Sequence, residues 1–202
     1  MIISHKYQFI FIKTRKTAGT SIEVFLSQLC GSNDVLTPIY PHVKPHVARN
    51  YDGYFNHISA SAVRSSVGNE LWENYFTFCV ERNPWDKTLS YYCMLNARQG
   101  GGLALGDYLL TGDFCTDYQA YTEPNNPSKI IVNHVVRYDS LNSELGVIFK
   151  MLGVPYNGNL SVYAKSEYRT NKRPYKEVYL ECQAEVIKRA FKNEIELFGF
   201  RF

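Results

Sequence analysis

The chain has 202 residues, 45% of them hydrophobic and 20% charged, with a formal net charge of +3. This length fits one domain spanning residues 1–202, and the apolar fraction excludes a chain that is disordered throughout. The small net charge argues against a nucleic-acid-binding protein. Because no run reaches the ~18 apolar residues of a membrane span, we predict no membrane partner.

The cysteines and the first residues bear on localisation. The five cysteines are Cys30, Cys79, Cys93, Cys115 and Cys182. Their irregular spacing, with no CxxC pair, favours reduced thiols and a cytoplasmic protein, and a secreted protein with one disulfide is the alternative. The opening apolar stretch is interrupted by Gln8 and lacks a small-residue cleavage site, so it predicts a strand rather than a signal peptide.

The first part of the chain predicts a strand, a loop and two helices. Tyr7–Lys13 is rich in β-branched and aromatic residues, which indicates a buried strand. Thr20–Leu29 has apolar residues on one helical face and a glycine, Gly31, after it. Ser59 is a candidate N-cap for a short helix that ends at Val67.

The middle of the chain predicts a second strand and a long helix. Phe76–Val80 is a short apolar run typical of a buried strand. Asn83 and Pro84 suit the cap and first turn of a helix, which we expect to run to Arg98 and to stop at the three glycines 100–102.

The last part predicts a third strand over Lys129–Tyr138, a helix over Leu141–Leu152, a polar basic loop over 157–174 and a long helix over Tyr175–Leu197. Alternation of strands and helices indicates an α/β protein with a central parallel sheet and helices on both faces. Ligands of such sheets bind at the carboxyl ends of the strands.

The loop after the first strand has the composition of an anion site. It spans Thr14–Ser21 (TRKTAGTS) between a strand and a helix, where backbone N–H groups and the helix dipole favour phosphate or sulfate. Gly19 permits close approach of an anion, and Lys16 adds a mobile positive charge. The lysine precedes the glycine, so this is not a Walker A loop. An ordinary strand-to-helix turn is the alternative interpretation.

A second candidate anion loop follows the second strand. Arg82 stands at the strand end, where a guanidinium can bind a phosphate through two N–H groups. Ser90 follows eight residues later and falls on the same helical face. A well-capped helix with Trp85 as a core residue is the alternative.

Together the segments KTAGTS and VERNPWDKTLSYY resemble the sulfotransferase family that uses 3′-phosphoadenosine 5′-phosphosulfate (PAPS), in particular its carbohydrate branch and small bacterial members. Arg137–Leu141 (RYDSL) and Ile195–Phe202 (IELFGFRF) are similar to later segments of that branch. The resemblance is strong at residues 9–26 and 75–92. Arg15 replaces the family's usual proline, and Asp139 replaces a glutamate.

The resemblance implies a sulfotransferase fold of the P-loop nucleotide-kinase type, with PAPS as donor and its product 3′,5′-bisphosphoadenosine (PAP). It requires no metal. The implied 5′-phosphosulfate site comprises Arg15, Lys16, Thr17, Ala18, Gly19, Thr20 and Ser21. The resemblance further assigns the 3′-phosphate to Arg82 and Ser90, and the adenosine to Tyr138. Candidates in the late basic loop are Lys165, Arg169 and Arg173.

Two residues are implied to be catalytic: Lys16, at the bridging oxygen of the leaving group, and His57, as the base that accepts the proton of an acceptor hydroxyl. A structural role for His57 is the alternative, and Glu23 is either a second candidate base or a solvated helix residue. A metal held by His42 and His46 is disfavoured by the intervening proline.

The branch resemblance favours a carbohydrate acceptor, and a small molecule is the alternative. A non-catalytic nucleotide-binding protein and a kinase-like phosphotransferase are the competing functions.

Overall fold

The protein is described by a computed structural model that covers residues 1–160, 168–170 and 173–202. A five-stranded sheet forms its centre, in the order β3-β1-β2-β4-β7. Its strands are β1 (Ile2–Ser4), β2 (Phe9–Phe11), β3 (Val35–Leu36), β4 (Phe76–Glu81) and β7 (His134–Arg137). The strands β5 (Thr122–Glu123) and β6 (Asn126–Ile130) form a separate hairpin.

Nine α-helices lie within the described residues: α1 (Gly19–Ser27), α2 (Ala60–Val67), α3 (Asn69–Asn74), α4 (Pro84–Arg98), α5 (Leu105–Leu110), α6 (Tyr118–Tyr121), α7 (Leu141–Met151), α8 (Glu181–Ala190) and α9 (Lys192–Phe198). None of these helices is long and apolar enough to cross a membrane. All five cysteines are described, and each is a free thiol.

Alternate residues of the central strands bury side chains on opposite faces of the sheet, as the period of two requires. Phe9 and Phe11 pack into one apolar cluster with α1 and α7, whereas Ile10 packs into another with α2 and α3. A third cluster joins α4, α5 and α8 around Trp85 and Phe191. Both sheet faces are therefore covered, which confirms the α/β class and the helices on both sides.

The predicted parallel sheet is only partly correct, because the sheet is mixed. β2, β4 and β7 are parallel neighbours, while β1 pairs antiparallel with both β2 and β3. The N-terminal segment thus forms a tight hairpin instead of one strand. Asp34 explains the turn, since its carboxylate accepts hydrogen bonds from the backbone N–H groups of His5 and Lys6. Gln8 completes the turn with φ +54°.

Two other elements differ from the sequence prediction. The predicted strand 129–138 is two strands, because Asn133 leaves the ladder to exchange hydrogen bonds with Thr77 through its side chain and its backbone N–H. The predicted long helix 175–197 is a 3₁₀ turn (Tyr175–Glu177) followed by α8 and α9. Phe191 separates the two helices with non-helical angles of φ −102° and ψ 29°.

The predicted helices at 59–67, 84–98 and 141–152 are confirmed to within one or two residues. Ser59 accepts a hydrogen bond from the backbone N–H of Ala62, and Asn83 accepts one from Trp85. Because β2, β4 and β7 are parallel, their carboxyl ends lie along one edge of the sheet. The loops after β2, β4 and β7 therefore meet there.

Candidate functional site

A cavity of about 580 Å³ opens at this edge. Its volume lies within the usual range of small-molecule sites. The lining residues are Lys13, Thr14, Arg15, Lys16, Thr17, Ala18, Gly19, Thr20, Ser21, Tyr40, Asn56, His57, Arg82, Ser90, Tyr91, Met94, Arg98, Tyr138, Tyr168 and Arg169. The structure therefore brings together both predicted anion loops, the predicted base and the predicted adenosine residue.

The first anion loop has an unusual backbone. Lys16 and Ala18 both have φ +60°, in the left-handed region that side chains other than glycine rarely adopt. Such strained residues cluster at ligand sites, where the surrounding structure holds them. Alternation of right- and left-handed residues also turns successive N–H groups towards one point and forms an anion-binding concavity.

Helix α1 begins directly after this loop, and no side chain caps it. Its N-cap is Ala18, which has no polar side chain. The first N–H groups of a helix have no intrahelical partner, and the helix dipole adds a partial positive charge there. Gly19, Thr20 and Ser21, the first residues of this helix, all line the cavity. An anion is the partner that this uncapped helix start favours.

Gly19 is required for a reason that the sequence did not reveal. A Cβ atom there would lie 2.7 Å from Cγ of Lys13, closer than real contacts allow. Lys13 cannot easily give way, because its buried ammonium bonds to Glu23 Oε2 at 2.6 Å. Glu23 is fully buried and also binds the amino group of Met1. The interpretation of Glu23 as a solvated helix residue is therefore wrong, and it does not line the cavity.

Arg82, in the second anion loop, connects the two loops directly. Its Nη1 donates to the carbonyl oxygen of Lys16 at 2.9 Å, and its Nε and Nη2 bind Asp86 Oδ2 at 2.7 and 2.6 Å. Its guanidinium carbon lies 4.1 Å from the ring centre of Tyr138, within cation–π range. Three of the five N–H groups of the guanidinium are thereby engaged, and the other two have no partner among the described residues.

Helix α4 forms one wall of the cavity. Ser90, Met94 and Arg98 line it at steps of four residues, as one face of a helix requires. Nζ of Lys16 lies 3.6 Å from Sδ of Met94. The start of α4 differs from that of α1, because Asn83 caps it. The second loop therefore presents side chains to the cavity, whereas the first presents backbone N–H groups.

His57 also lines the cavity and is strained, with φ +63°. Its Nδ1 is 3.0 Å from the carbonyl oxygen of Lys13. A carbonyl can only accept, so Nδ1 carries the proton and the neutral ring has its lone pair on Nε2. Burial, and after it the charge of Lys13, lowers the pKa of His57 to about 4. By its solvent-accessible surface His57 is an exposed residue of the cavity lining, so solvent in the cavity weakens the desolvation that lowers this pKa.

A buried ionic network lies beneath the two loops. Asp117 accepts hydrogen bonds from the backbone N–H and from Nε of Arg15, at 2.7 and 2.9 Å. Lys87 binds both Asp117 and Glu81, at 2.9 and 2.7 Å. The charges of Asp117 and Glu81 raise the pKa of Lys87, although its burial, the largest single influence, acts in the opposite direction. Lys87 therefore stays charged in the interior.

The late basic loop is described in part. Lys165 lies outside the described residues. Arg169 lines the cavity and binds Asp86 Oδ1 at 2.5 Å. Arg173 is exposed, lies outside the cavity lining, and accepts a hydrogen bond from Arg169 through its carbonyl oxygen. Its contact with a nucleotide stays a prediction.

The other histidines lie outside the cavity lining. Nε2 of His42 donates a hydrogen bond to the carbonyl oxygen of His46, and His46 is buried against the carbonyl oxygen of Thr37. His134 pairs with Glu144 at 2.8 Å. No cluster of three or more metal-ligating side chains occurs within residues 1–160, 168–170 and 173–202.

Sequence reasoning missed several residues that shape the site. Asp117 lies in a segment with no recognised motif, and it reaches Arg15 across 102 positions of the chain. The sequence pattern places Lys13 in a strand and gives no indication that its side chain packs under Gly19. Asp86 had a visible signal, since it stands four residues after Arg82, the spacing of a helical ion pair.

Comparison with known proteins leaves the function open. No family model matches the chain. The chain is similar to an uncharacterized protein of Archaeoglobus fulgidus, with 28% identity over 96 residues. The matched segment is 46% of this chain and 80% of that protein. Because this relative has no described activity, functional argument depends on the residues of the cavity.

Proposed function

We propose that this chain transfers the sulfuryl group of PAPS to an acceptor hydroxyl. One observation carries the proposal: a single cavity joins the uncapped start of α1 to the second anion loop. The cavity thus offers two separate positions for anions, one at backbone N–H groups and one at Arg82 and Ser90. A nucleotide with phosphates on both the 5′ and 3′ oxygens matches this arrangement.

The start of α1 suits the 5′-phosphosulfate. The backbone N–H groups of Gly19, Thr20 and Ser21 hold the phosphate, and the ammonium of Lys16 stabilises the negative charge that develops on the bridging oxygen. Lys16 has the required reach, because its Nζ contacts Met94 on the opposite wall. Positioning and charge stabilisation supply most of the catalysis in comparable phosphoryl transfers.

The second loop suits the 3′-phosphate, and the nearby Tyr138 suits the adenosine. Two N–H groups of Arg82 and the hydroxyl of Ser90 bind the phosphate, and the ring of Tyr138 contacts the adenosine. Asp86 already neutralises part of the guanidinium charge. The phosphate therefore shares Arg82 with a carboxylate, which lowers the affinity that a free guanidinium would give.

His57 is the proposed base. The lone pair of Nε2 accepts the proton of the acceptor hydroxyl as its oxygen forms a bond to sulfur. The bond between sulfur and the bridging oxygen then breaks, and its electron pair leaves with PAP. A pKa of about 4 makes the free imidazole a weak base, and the negative charges of the bound nucleotide favour its protonated form.

The acceptor is proposed to be a carbohydrate. Tyr40, Tyr91 and Tyr168 line the cavity together with Asn56. Tyrosine rings offer an apolar face and a polar tip, which suits sugars. Asn56 also contributes a polar side chain to this lining, and its Oδ1 is buried without a hydrogen-bond partner among the described residues.

The test is calorimetric binding of PAP, with AMP and ATP as controls. The proposed site binds PAP tightly and both controls weakly, because only PAP carries the 3′-phosphate. The variant Arg82→Ala should lose the preference for PAP, and Arg64→Ala is its control, since Arg64 pairs with Glu123 outside the cavity lining. Preference for ATP would favour a kinase-like protein. Tight PAP binding without sulfuryl transfer to any sugar would favour a non-catalytic nucleotide-binding protein.

A further inference from the structure

Asp117 is a buried carboxylate that binds the first anion loop. Its side chain is 7% exposed. Oδ2 accepts from the backbone N–H of Arg15 at 2.7 Å and binds Lys87 at 2.9 Å, while Oδ1 accepts from Nε of Arg15 at 2.9 Å. Nη2 of Arg15 also donates to the carbonyl oxygen of Thr116 at 2.6 Å. Thr116 and Asp117 thus fix both the backbone and the side chain of Arg15.

The same carboxylate is linked to the second anion loop. Lys87, on α4, joins Asp117 to Glu81 at the end of β4. Glu81 Oε1 in turn accepts from the backbone N–H of Arg82 at 2.8 Å, and Oε2 accepts from the hydroxyl of Tyr121 at 2.9 Å. A continuous path of buried contacts therefore runs from the first loop to the second beneath the cavity.

Lys16 follows Arg15 directly and has the strained φ of +60°. Its conformation needs external support, since a left-handed residue other than glycine costs about 1–2 kcal/mol. Two contacts provide this support. Arg82 donates a hydrogen bond to the carbonyl oxygen of Lys16, and Asp117 accepts one from the backbone N–H of the preceding residue, Arg15.

We propose that Asp117 is a positioning residue of the anion site, which acts by holding the strained backbone of Arg15 and Lys16 in the geometry that binds the 5′-phosphate. This inference rests on the proposed nucleotide function. Asp117 itself does not line the cavity and touches no reacting atom. The family that this chain resembles has a rigid proline before the lysine, whereas this chain has Arg15. Anchoring of Arg15 by Asp117 supplies the rigidity that the proline would otherwise give.

Asp117→Asn is the test variant, because it keeps the size of the side chain. Oδ2 of Asp117 faces two donors and Oδ1 faces a third. An amide NH₂ at either position would oppose a donor with a donor, so the variant must release part of the Arg15 anchor. Asp107→Asn is the matched control, since Asp107 is exposed on α5. Circular dichroism and urea unfolding establish that both variants are folded.

The measurement is the Kd of two nucleotides for each variant: PAP, and adenosine 3′-phosphate, which lacks the 5′-phosphate. We expect Asp117→Asn to weaken PAP binding about tenfold and adenosine 3′-phosphate binding less than about threefold, because only the 5′-phosphate meets the backbone that Asp117 holds. Asp107→Asn should change neither value. An equal loss for both nucleotides would indicate a purely structural role and would overturn the inference.

A second variant keeps the inference testable if Asp117→Asn does not fold. Arg15→Lys retains the charge at the cavity but cannot reproduce the contacts of Nε and Nη2. It should weaken PAP binding severalfold, and wild-type affinity would overturn the proposed role. If the wild-type chain itself fails to bind PAP, the proposed function fails. If it binds PAP and both variants bind equally well, only the positioning role fails.

Discussion

Replacement of Arg82 by alanine separates the two anion positions experimentally. In the proposed complex the guanidinium gives the 3′-phosphate a charge-assisted hydrogen bond, worth about 1.5–3 kcal/mol. The variant also leaves Asp86, until then paired with Arg82 at 2.6 Å, as a carboxylate near the phosphate. We therefore expect PAP binding to weaken by 2 kcal/mol or more, which is about thirtyfold in Kd.

AMP provides the internal reference for this variant, because it has the 5′-phosphate and lacks the 3′-phosphate. Arg82 also holds the carbonyl oxygen of Lys16 at 2.9 Å, so AMP binding should weaken as well, but by a smaller factor. Calorimetric titration of both nucleotides gives the ratio directly. An unchanged PAP affinity, or equal loss for PAP and AMP, would refute the assignment of Arg82 to the 3′-phosphate.

Three further predictions concern the first loop and the base. Lys16→Ala should abolish sulfuryl transfer and leave the circular dichroism spectrum unchanged, and retained turnover would remove Lys16 from the mechanism. Bound PAP should raise the pKa of His57 above its free value of about 4, so PAP binding should tighten as the pH falls through the range between the two pKa values. NMR titration of the ring with and without PAP measures this shift, and identical titration curves would place the ring away from the phosphates. Gly19→Ala should lower the free energy of unfolding by about 1–3 kcal/mol through overpacking against Lys13. Gly106→Ala is its control, since the nearest atom to the added Cβ lies 3.9 Å away, and equal urea midpoints for the two variants would contradict the packing argument.

Capping residues in the sequence correctly predicted where two of the helices begin. Asn83 and Pro84 fixed the start of α4 because a cap and a first-turn proline act within one turn. Ser59 did the same for α2. The helix α1 was expected one residue later than it begins, since Ala18 is a cap without a side-chain signal.

Tertiary contacts determined the elements that the sequence missed. Asn133 interrupts a run of β-branched residues by bonding to Thr77, which is 56 positions away. Asp34 similarly closes the N-terminal turn from a distant loop. Because β2 and β4 are parallel, the sequence could predict that the loops after them meet in one cavity. It could not predict the buried contact of Asp117 with Arg15, because no local pattern marks Asp117.

In the proposed complex the two strand-to-helix junctions hold anions by different means, and this would have an evolutionary consequence. The junction at α1 would use backbone N–H groups, which remain when the residues that carry them are replaced by any residue other than proline. The junction at α4 is closed by Asn83 and offers only side chains, chiefly Arg82 and Ser90. Recognition at the first position would therefore change mainly through the residues that hold the loop, such as Asp117, whereas preference at the second can drift by single substitutions of the contacting side chains. Homologues of this chain should differ in the group that they bind at the α4 junction before they differ in the group that they bind at the α1 junction.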